Sequence, residues 1–343
     1  MRKRFFSILQ YVIFMGGGIF LVWWQLKEMT PEDKKEFYHA FTYANYWLVI
    51  PVVLMALLSH LSRSMRWKLL LEQLGYHPKL KNLFMVTMVG YLANSAVPRL
   101  GEILKCTFLA RYEKLKVHRL VGTILIERTF DILCYLIFIG ITLLLQLDLL
   151  GNFLNTKFAP PPAGQVGLKS MPVWEKASIW AGGIILFVLI LKLLFRKFPH
   201  NKAVISIKGF FTGMAEGFKT IIHLKKRKLF IAHTLFIWAM YLLQIYVGFH
   251  AMEGTFHLSI KAAFSVLTLA TLAMIITPGG IGSFPLLVME TLTIYGIAQP
   301  VGKAFGWLIW GVSTGIVIIV GFTCLILLPL INSKKNEIST PHP

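Results

Sequence analysis

Long apolar runs, separated by short polar segments, dominate the chain. A helix needs about 20 apolar residues to cross the hydrocarbon core of a bilayer. The runs of about that length predict six full transmembrane helices, and the second of them reaches the length only if residues 62–67 extend it. They lie at residues 5–24, 47–61, 121–146, 179–195, 229–252 and 305–331.

Two further apolar stretches, at residues 83–110 and 262–298, are interrupted near their middles. The two halves of the first stretch rise about 22 Å or less at 1.5 Å per residue, which is less than the roughly 30 Å needed to cross the core, and the second stretch repeats the construction. We therefore predict two re-entrant helical hairpins. Two full spans in place of each hairpin would give the same orientation elsewhere, so only the lengths favour re-entry. The residues that break the apolar pattern are Pro98 and Gly101 in the first stretch, and Pro278, Gly279, Gly280 and Gly282 in the second.

Lys and Arg are concentrated in alternate polar segments. The basic segments contain residues 2–4, 63–81, 111–119, 196–228 and 334–335, and the segments between them are poor in Lys and Arg. Cytoplasmic loops carry such an excess, so both termini are predicted to be cytoplasmic. The same alternation gives the two hairpins opposite orientations and makes residues 47–146 and 229–331 an inverted repeat. In transporters with this organisation, broken segments at corresponding positions of the two halves indicate the binding site.

These patterns predict an all-α polytopic membrane protein with eight membrane segments, if each hairpin is counted once. We expect a single transmembrane domain over residues 1–333 and a polar cytoplasmic tail over 334–343. Residues 197–228 are basic and carry an apolar stripe at helical spacing. This segment is interpreted either as an interfacial helix on the inner leaflet or as a connector helix packed on the bundle.

Composition agrees with a membrane protein and limits its chemistry. Of the 343 residues, 56% are hydrophobic and 15% are charged, and the mean hydropathy is +0.66. The formal charge of +20 lies in the loops that face lipid headgroups, and no basic soluble module is long enough to bind nucleic acid. Cys106, Cys134 and Cys324 have no CxxC spacing, and no HExxH sequence occurs. We therefore expect no metal, no cofactor and no nucleic-acid partner.

Opposite charges flank the break in the first hairpin. Arg99 lies at the predicted tip, and Glu102 lies in the first turn of the returning half-helix. Ionisable groups at membrane depth are costly and usually functional. Arg99 either grips a phosphate through its guanidinium or only forms an ion pair with Glu102. Asn94, one turn before the break, either contacts a headgroup or satisfies backbone groups that the break frees.

A second set of charges lies in the segment Glu127-Arg-Thr-Phe-Asp131. Arg128 and Asp131 are three residues apart and share a helix face, with Glu127 turned about 100° away. They are interpreted either as headgroup ligands or as residues that staple the helix entry at the interface. Glu290, in the second hairpin, has no cationic neighbour in sequence, and we consider it as a coupling residue with Arg99 or Arg128 as partner.

The sequence resembles the flippase-like transmembrane domain of the lysylphosphatidylglycerol synthetase family over nearly its whole length. The resemblance rests on three motifs: Asn94-Ser-Ala-Val-Pro-Arg-Leu-Gly-Glu102, Glu127-Arg-Thr-Phe-Asp131 and Thr277-Pro-Gly-Gly-Ile-Gly-Ser283. It implies movement of a phospholipid or an isoprenoid-linked lipid between leaflets of a bacterial or archaeal cell membrane. Family members commonly carry an acidic residue just after the Pro-Gly-Gly-x-Gly turn, and here Glu290 is the nearest acid.

The resulting hypothesis is a lipid flippase or scramblase without enzymatic activity, because only about a dozen polar residues follow Ile331. Its expected partners are membrane phospholipids and a separate lipid-modifying enzyme. The headgroup ligands would be Arg99, Glu102, Arg128, Asp131 and Asn94. The alternatives are a membrane-embedded transferase acting on a lipid phosphate, a small-solute secondary transporter, and a structural partner for another enzyme.

Overall fold

A computed structural model describes the backbone of residues 2–158 and 221–333, with isolated positions between 178 and 212. Side chains are described for residues 15–146 and 221–332 and at those isolated positions. Most of the predicted span at 179–195, most of the basic segment at 197–228 and the tail at 334–343 therefore lie outside the described residues.

The described secondary structure is helical throughout. The chain falls into two compact units, one formed by residues 1–127 and 222–343 and the other by residues 128–221. The helices are α1 (Arg2–Lys27), α2 (Pro31–Thr42), α3 (Val49–Gln73), α4 (Leu80–Ala96), α5 (Leu100–Glu113), α6 (Val117–Phe158), α7 (Arg227–Phe249), α8 (Ile260–Ile276), α9 (Ser283–Ile294) and α10 (Gln299–Ser333).

Four of the described segments are long and apolar enough to cross a membrane. The segment around α3 runs to Gln73, which supplies the extension that the short run at 47–61 required. The predicted span at 5–24 falls within α1, whose side chains are described only from residue 15. The four segments are Tyr46–Gln73, Val117–Gln146, Arg227–Phe249 and Gln299–Asn332.

Two pairs of shorter helices stand where the broken stretches were predicted. Helix α4 contacts α5, and α8 contacts α9, across turns that contain the predicted proline and glycine residues. The longest of these four helices has 17 residues, or about 25 Å at 1.5 Å per residue, and so falls short of a full crossing. The order of long, short, short and long helix therefore occurs twice along the chain. Re-entry into a membrane from opposite sides stays a prediction.

The two turns share one backbone device. A proline is followed by a residue in the left-handed region, Arg99 (φ 67°, ψ −4°) in the first turn and Gly279 (φ 61°, ψ 13°) in the second. Glycine adopts this conformation readily, whereas a residue with a Cβ atom is strained there by about 1 kcal/mol or more. The first hairpin thus has an arginine at the left-handed position, where the second has a glycine, which adopts this conformation without strain.

The helices of the two halves pack against each other in the larger unit. Helix α3 lies along α7, so the first long helix of one half contacts the first long helix of the other. Helix α10 packs on both α4 and α9. The second turn also reaches the first hairpin, because a Cβ atom on Gly279 would lie 3.5 Å from Cα of Ser95. The two broken regions therefore meet.

The first hairpin closes on a pair of glycines. A Cβ atom added to Gly101 of α5 would overlap the carbonyl oxygen of Gly90 on α4 and would lie 2.7 Å from the side-chain amide of Asn94. The atoms it meets include backbone, which cannot rotate away. The close approach of α4 and α5 thus depends on the missing side chain at Gly101.

We expect Gly101→Ala to lower the free energy of unfolding by about 1–3 kcal/mol, because the added methyl group forces the two helices apart. Gly122→Ala in α6 is the control, since a Cβ atom there meets nothing within 4 Å. Thermal unfolding in detergent micelles measures both variants. Equal midpoints for the two variants would contradict the packing described here.

Candidate functional site

One carboxylate lies among three cations in the larger unit. Glu127 Oε1 is 3.3 Å from Arg66 Nη2 and 3.9 Å from Arg63 Nη1, and Glu127 Oε2 is 3.1 Å from Lys105 Nζ. The side chain of Glu127 is 1% exposed and that of Arg66 is 0% exposed. We call these four residues the buried charge cluster, and their summed formal charge is positive.

Three helices of the first half supply the cluster. Helix α3 contributes Arg63 and Arg66, α5 contributes Lys105 and α6 contributes Glu127. Glu127 lies six residues beyond residue 121, where the predicted span begins, which is about 9 Å along the helix at 1.5 Å per residue. The cluster therefore includes a residue of the predicted span.

Neighbouring side chains fix the geometry of the cluster. Trp67 Nε1 donates to Thr123 Oγ1 at 2.9 Å, which holds α3 against α6. Thr123 and Glu127 lie one turn apart on the buried face of α6 and therefore both point at α3. Lys105 Nζ lies 4.0 Å from the centroid of the Trp67 ring, close enough for a cation–π interaction. The lysine is thus held by an aromatic face as well as by a carboxylate.

The same face of α3 also binds the second half of the chain. Arg66 Nη1 donates to Thr234 Oγ1 at 3.2 Å, and Arg63 Nη2 donates to the Tyr241 hydroxyl at 3.0 Å. Both acceptors lie on α7. Each guanidinium therefore divides its N–H groups between Glu127 and α7. The cluster joins the two halves of the repeat.

The structure gives Asn94 a backbone role. Its Oδ1 accepts a hydrogen bond from Gly101 N at 2.7 Å, and its Nδ2 donates to Glu102 Oε1 at 3.4 Å. The first turn of a helix leaves N–H groups without intrahelical partners, and Asn94 satisfies one of them. Glu102 is half-buried in the same turn.

Arg99 lies at the tip of the first hairpin with an exposed side chain. The contacts that the structure describes include no ion pair between Arg99 and Glu102, and Glu102 Oε1 accepts a hydrogen bond from Asn94. The cation at the tip is open to its surroundings and lies three residues before Glu102 on the same hairpin.

The other predicted site residues lie apart from the buried charge cluster or in the smaller unit. Glu290 is exposed on α9, and the described contacts include no ion pair that joins it to Arg99. Arg128 and Asp131 are half-buried and belong to the smaller unit. The sequence pattern indicated Arg128 and Asp131 as candidate headgroup ligands on one face of α6 and did not include Glu127. In the structure, Glu127 is the α6 residue that lies in the buried charge cluster.

The second turn is closed by neighbouring side chains. Its carbonyl oxygens accept hydrogen bonds from Trp310 Nε1 at Gly279 (2.8 Å), from Thr277 Oγ1 at Ile281 (3.1 Å) and from Gln25 Nε2 at Gly282 (2.8 Å). Irregular backbone at membrane depth persists where protein groups satisfy it in this way. The turn is therefore a built structural element, in contrast to the exposed tip of the first hairpin.

Arg63, Arg66 and Lys105 were missed as site residues. The count of basic residues assigned Arg63 and Arg66 to a cytoplasmic loop, but the structure buries both in α3. Their spacing held a signal, because Ser59, Ser62, Arg63 and Arg66 recur at intervals that place them on one helix face. A polar stripe on a membrane helix indicates a buried polar contact.

Comparison with known proteins agrees with this architecture. Residues 7–321 match the family described as lysylphosphatidylglycerol synthase TM region. The chain is 22% identical over 307 residues to the UPF0104 membrane protein MJ1595 of Methanocaldococcus jannaschii. The aligned region covers 84% of this chain and 87% of that protein. No solved structure matches the chain. The matched region contains both hairpins and the buried charge cluster.

We expect Trp310→Phe to lower the free energy of unfolding by about 1–3 kcal/mol, because the carbonyl of Gly279 loses its donor. Trp307→Phe is the matched control, since the Trp307 indole N–H has no acceptor among the described residues. Chemical unfolding in detergent micelles measures both. A loss of equal size in the two variants would show that the hydrogen bond does not hold the turn.

Proposed function

Because the chain belongs to the lysylphosphatidylglycerol synthase transmembrane-region family, we propose that it moves an anionic lipid between the leaflets of the cell membrane. In this proposal the lipid phosphate binds to Arg63, Arg66 and Lys105. The chain transports the lipid and does not modify it. We expect a multi-pass protein of a bacterial or archaeal cell membrane, with both termini in the cytoplasm.

The buried charge cluster is the observation that carries the proposal. Burying a charge is costly, so a membrane protein keeps buried cations where they pair with an anion or perform a function. Arginine binds phosphate through two parallel hydrogen bonds, and lysine binds it as a compact charge. Two guanidinium groups and one ammonium group beside the Glu127 carboxylate form a suitable lining for a lipid phosphate.

The first hairpin supports a route to the cluster. Exposed Arg99 lies at its tip, half-buried Asn94 and Glu102 follow, and Lys105 lies one turn beyond Glu102 on α5. Polar side chains thus extend from the exposed tip to the buried cations. A headgroup could follow this series while its acyl chains stay in the lipid phase, which favours a lipid over a small solute.

Movement between leaflets would use the repeat. We infer that the two short hairpins enter the membrane from opposite sides and that the halves rock against each other along α3 and α7. Transport would be passive or driven by an ion or proton gradient, with Glu102, Asp131 and Glu290 as candidate coupling residues. The contacts of Arg63 and Arg66 with α7 support this, because they link the cations to the interface between the halves.

Reconstitution into vesicles tests the proposal. The vesicles contain phosphatidylglycerol with a fluorescent label on an acyl chain, and dithionite added outside bleaches the label in the outer leaflet. We expect bleaching beyond the outer-leaflet fraction in vesicles with the wild-type protein and not in empty vesicles. We expect Lys105→Met to slow the exchange about tenfold or more, because one of the three cations is lost while most of the packing volume is kept.

Lys68→Met is the control. Lys68 lies on α3 near Glu72, and its side chain is 34% exposed. This variant should exchange phosphatidylglycerol at the wild-type rate. Unchanged bleaching in wild-type vesicles across a panel of anionic and zwitterionic lipids would contradict the proposal. Uptake of inorganic phosphate into the vesicles, or a chemically changed lipid in the extract, would instead favour a solute transporter or a transferase.

A further inference from the structure

The position of Glu127 within the buried charge cluster gives it more than a packing role. Its two carboxylate oxygens are divided between the cations, Oε1 toward Arg66 and Arg63 and Oε2 toward Lys105. A phosphate group bound by the same three side chains would present its oxygens to the same N–H groups. Carboxylate and phosphate are both oxyanions that arginine binds in parallel pairs of hydrogen bonds.

We propose that Glu127 is a built-in counter-anion, which occupies the phosphate site in the empty protein and is displaced when the anionic lipid binds. This inference rests on the proposed function, since it concerns the same site. It adds that the affinity and the release of the lipid are set by competition between Glu127 and the lipid phosphate.

The contacts of the two arginines make this exchange possible. Arg66 holds Thr234 with Nη1 and Glu127 with Nη2, and Arg63 holds Tyr241 with Nη2 while its Nη1 faces Glu127. The α7 acceptors are neutral hydroxyls that steady each guanidinium. The N–H groups toward Glu127 can then change partners while the arginine side chains keep their positions.

The exchange is a displacement because both anions use the same donors. Arg66 Nη2, Arg63 Nη1 and Lys105 Nζ face Glu127, and a lipid phosphate bound by these three side chains would contact the same N–H groups. Two anions that share one set of donors also repel each other at short distance. Binding of the phosphate therefore displaces the Glu127 carboxylate.

Release of the lipid follows from the same competition. Buried cations without an internal anion would hold a phosphate tightly, and a transporter must let its substrate go. The return of Glu127 to the cations offsets the loss of the phosphate contacts. Glu127 is therefore a positioning and specificity residue that weakens binding in order to permit turnover.

The test uses Glu127→Gln and a water-soluble anionic lipid, dihexanoylphosphatidylglycerol, added to the full-length protein in detergent. The variant keeps the size of the side chain and removes its charge. Without the probe, we expect a lower thermal midpoint than in the wild type, because the cations lose their counter-anion. With the probe, we expect a larger rise of the midpoint and a dissociation constant about tenfold lower than in the wild type.

Vesicle exchange should move in the opposite direction. We expect Glu127→Gln to exchange labelled phosphatidylglycerol more slowly than the wild type, despite its tighter binding. A residue with only a structural role would lower the midpoint without increasing the response to the probe. The combination of tighter binding and slower exchange therefore separates the two roles.

Two further variants serve as a control and as an alternative to the single substitution. Glu72→Gln removes a carboxylate of α3 that is 2.8 Å from Lys226 and 4.0 Å from Lys68, and it should leave the probe affinity unchanged. If Glu127→Gln alone fails to fold, it is combined with Lys105→Met. This double variant removes one charge of each sign and so keeps the net charge of the cluster. This double variant should still show a larger probe response than Lys105→Met alone.

The outcomes distinguish a failure of the inference about Glu127 from a failure of the proposed lipid transport. Wild-type protein that moves lipid, together with Glu127 variants that bind the probe no more tightly than their matched parents, would overturn the inference and leave the function standing. Wild-type protein that neither binds the probe nor moves any lipid would overturn both.

Discussion

The ion pairs of Glu127 with Arg66 and Lys105 are the interaction on which the rest of the structure depends. They are buried between helices, where a charge persists only if it has a partner. Because the partners come from α3, α5 and α6, the pairs fix the first hairpin against the two long helices of its half. The same arginines bind α7, so the contact between the two halves depends on the cluster as well.

The repeated architecture is not used symmetrically. The second turn is closed by Trp310, Thr277 and Gln25, which satisfy its carbonyl groups, and glycine fits its left-handed backbone. The first turn keeps Arg99 in the same strained conformation and leaves it exposed. The first hairpin thus combines an exposed cation at its tip with a buried cation, Lys105, on α5.

Family membership and site chemistry answer different questions about this protein. The family match identifies a transmembrane region related to lysylphosphatidylglycerol synthases and says nothing of which side chains act. The buried charge cluster supplies the chemistry, since two guanidinium groups and an ammonium group suit a phosphate. The substrate class that we propose, a lipid with an anionic headgroup, is consistent with both.

The sequence predicted the long apolar helices that the structure describes, the two breaks and their order, because hydrophobic run length and the backbone limits of proline and glycine are local properties. It did not predict the short helix α2, which lies in a polar segment between two predicted spans. It left Asn94 between a headgroup contact and a backbone contact, and the structure shows the hydrogen bond from Gly101 N to Asn94 Oδ1. It could not determine the cluster, because residues 63, 66, 105 and 127 meet only when α3, α5 and α6 pack together. Nor could it choose between Glu127 and the Arg128 and Asp131 face, since the rotation of α6 about its axis is set by its contacts with α3, which only the tertiary structure provides.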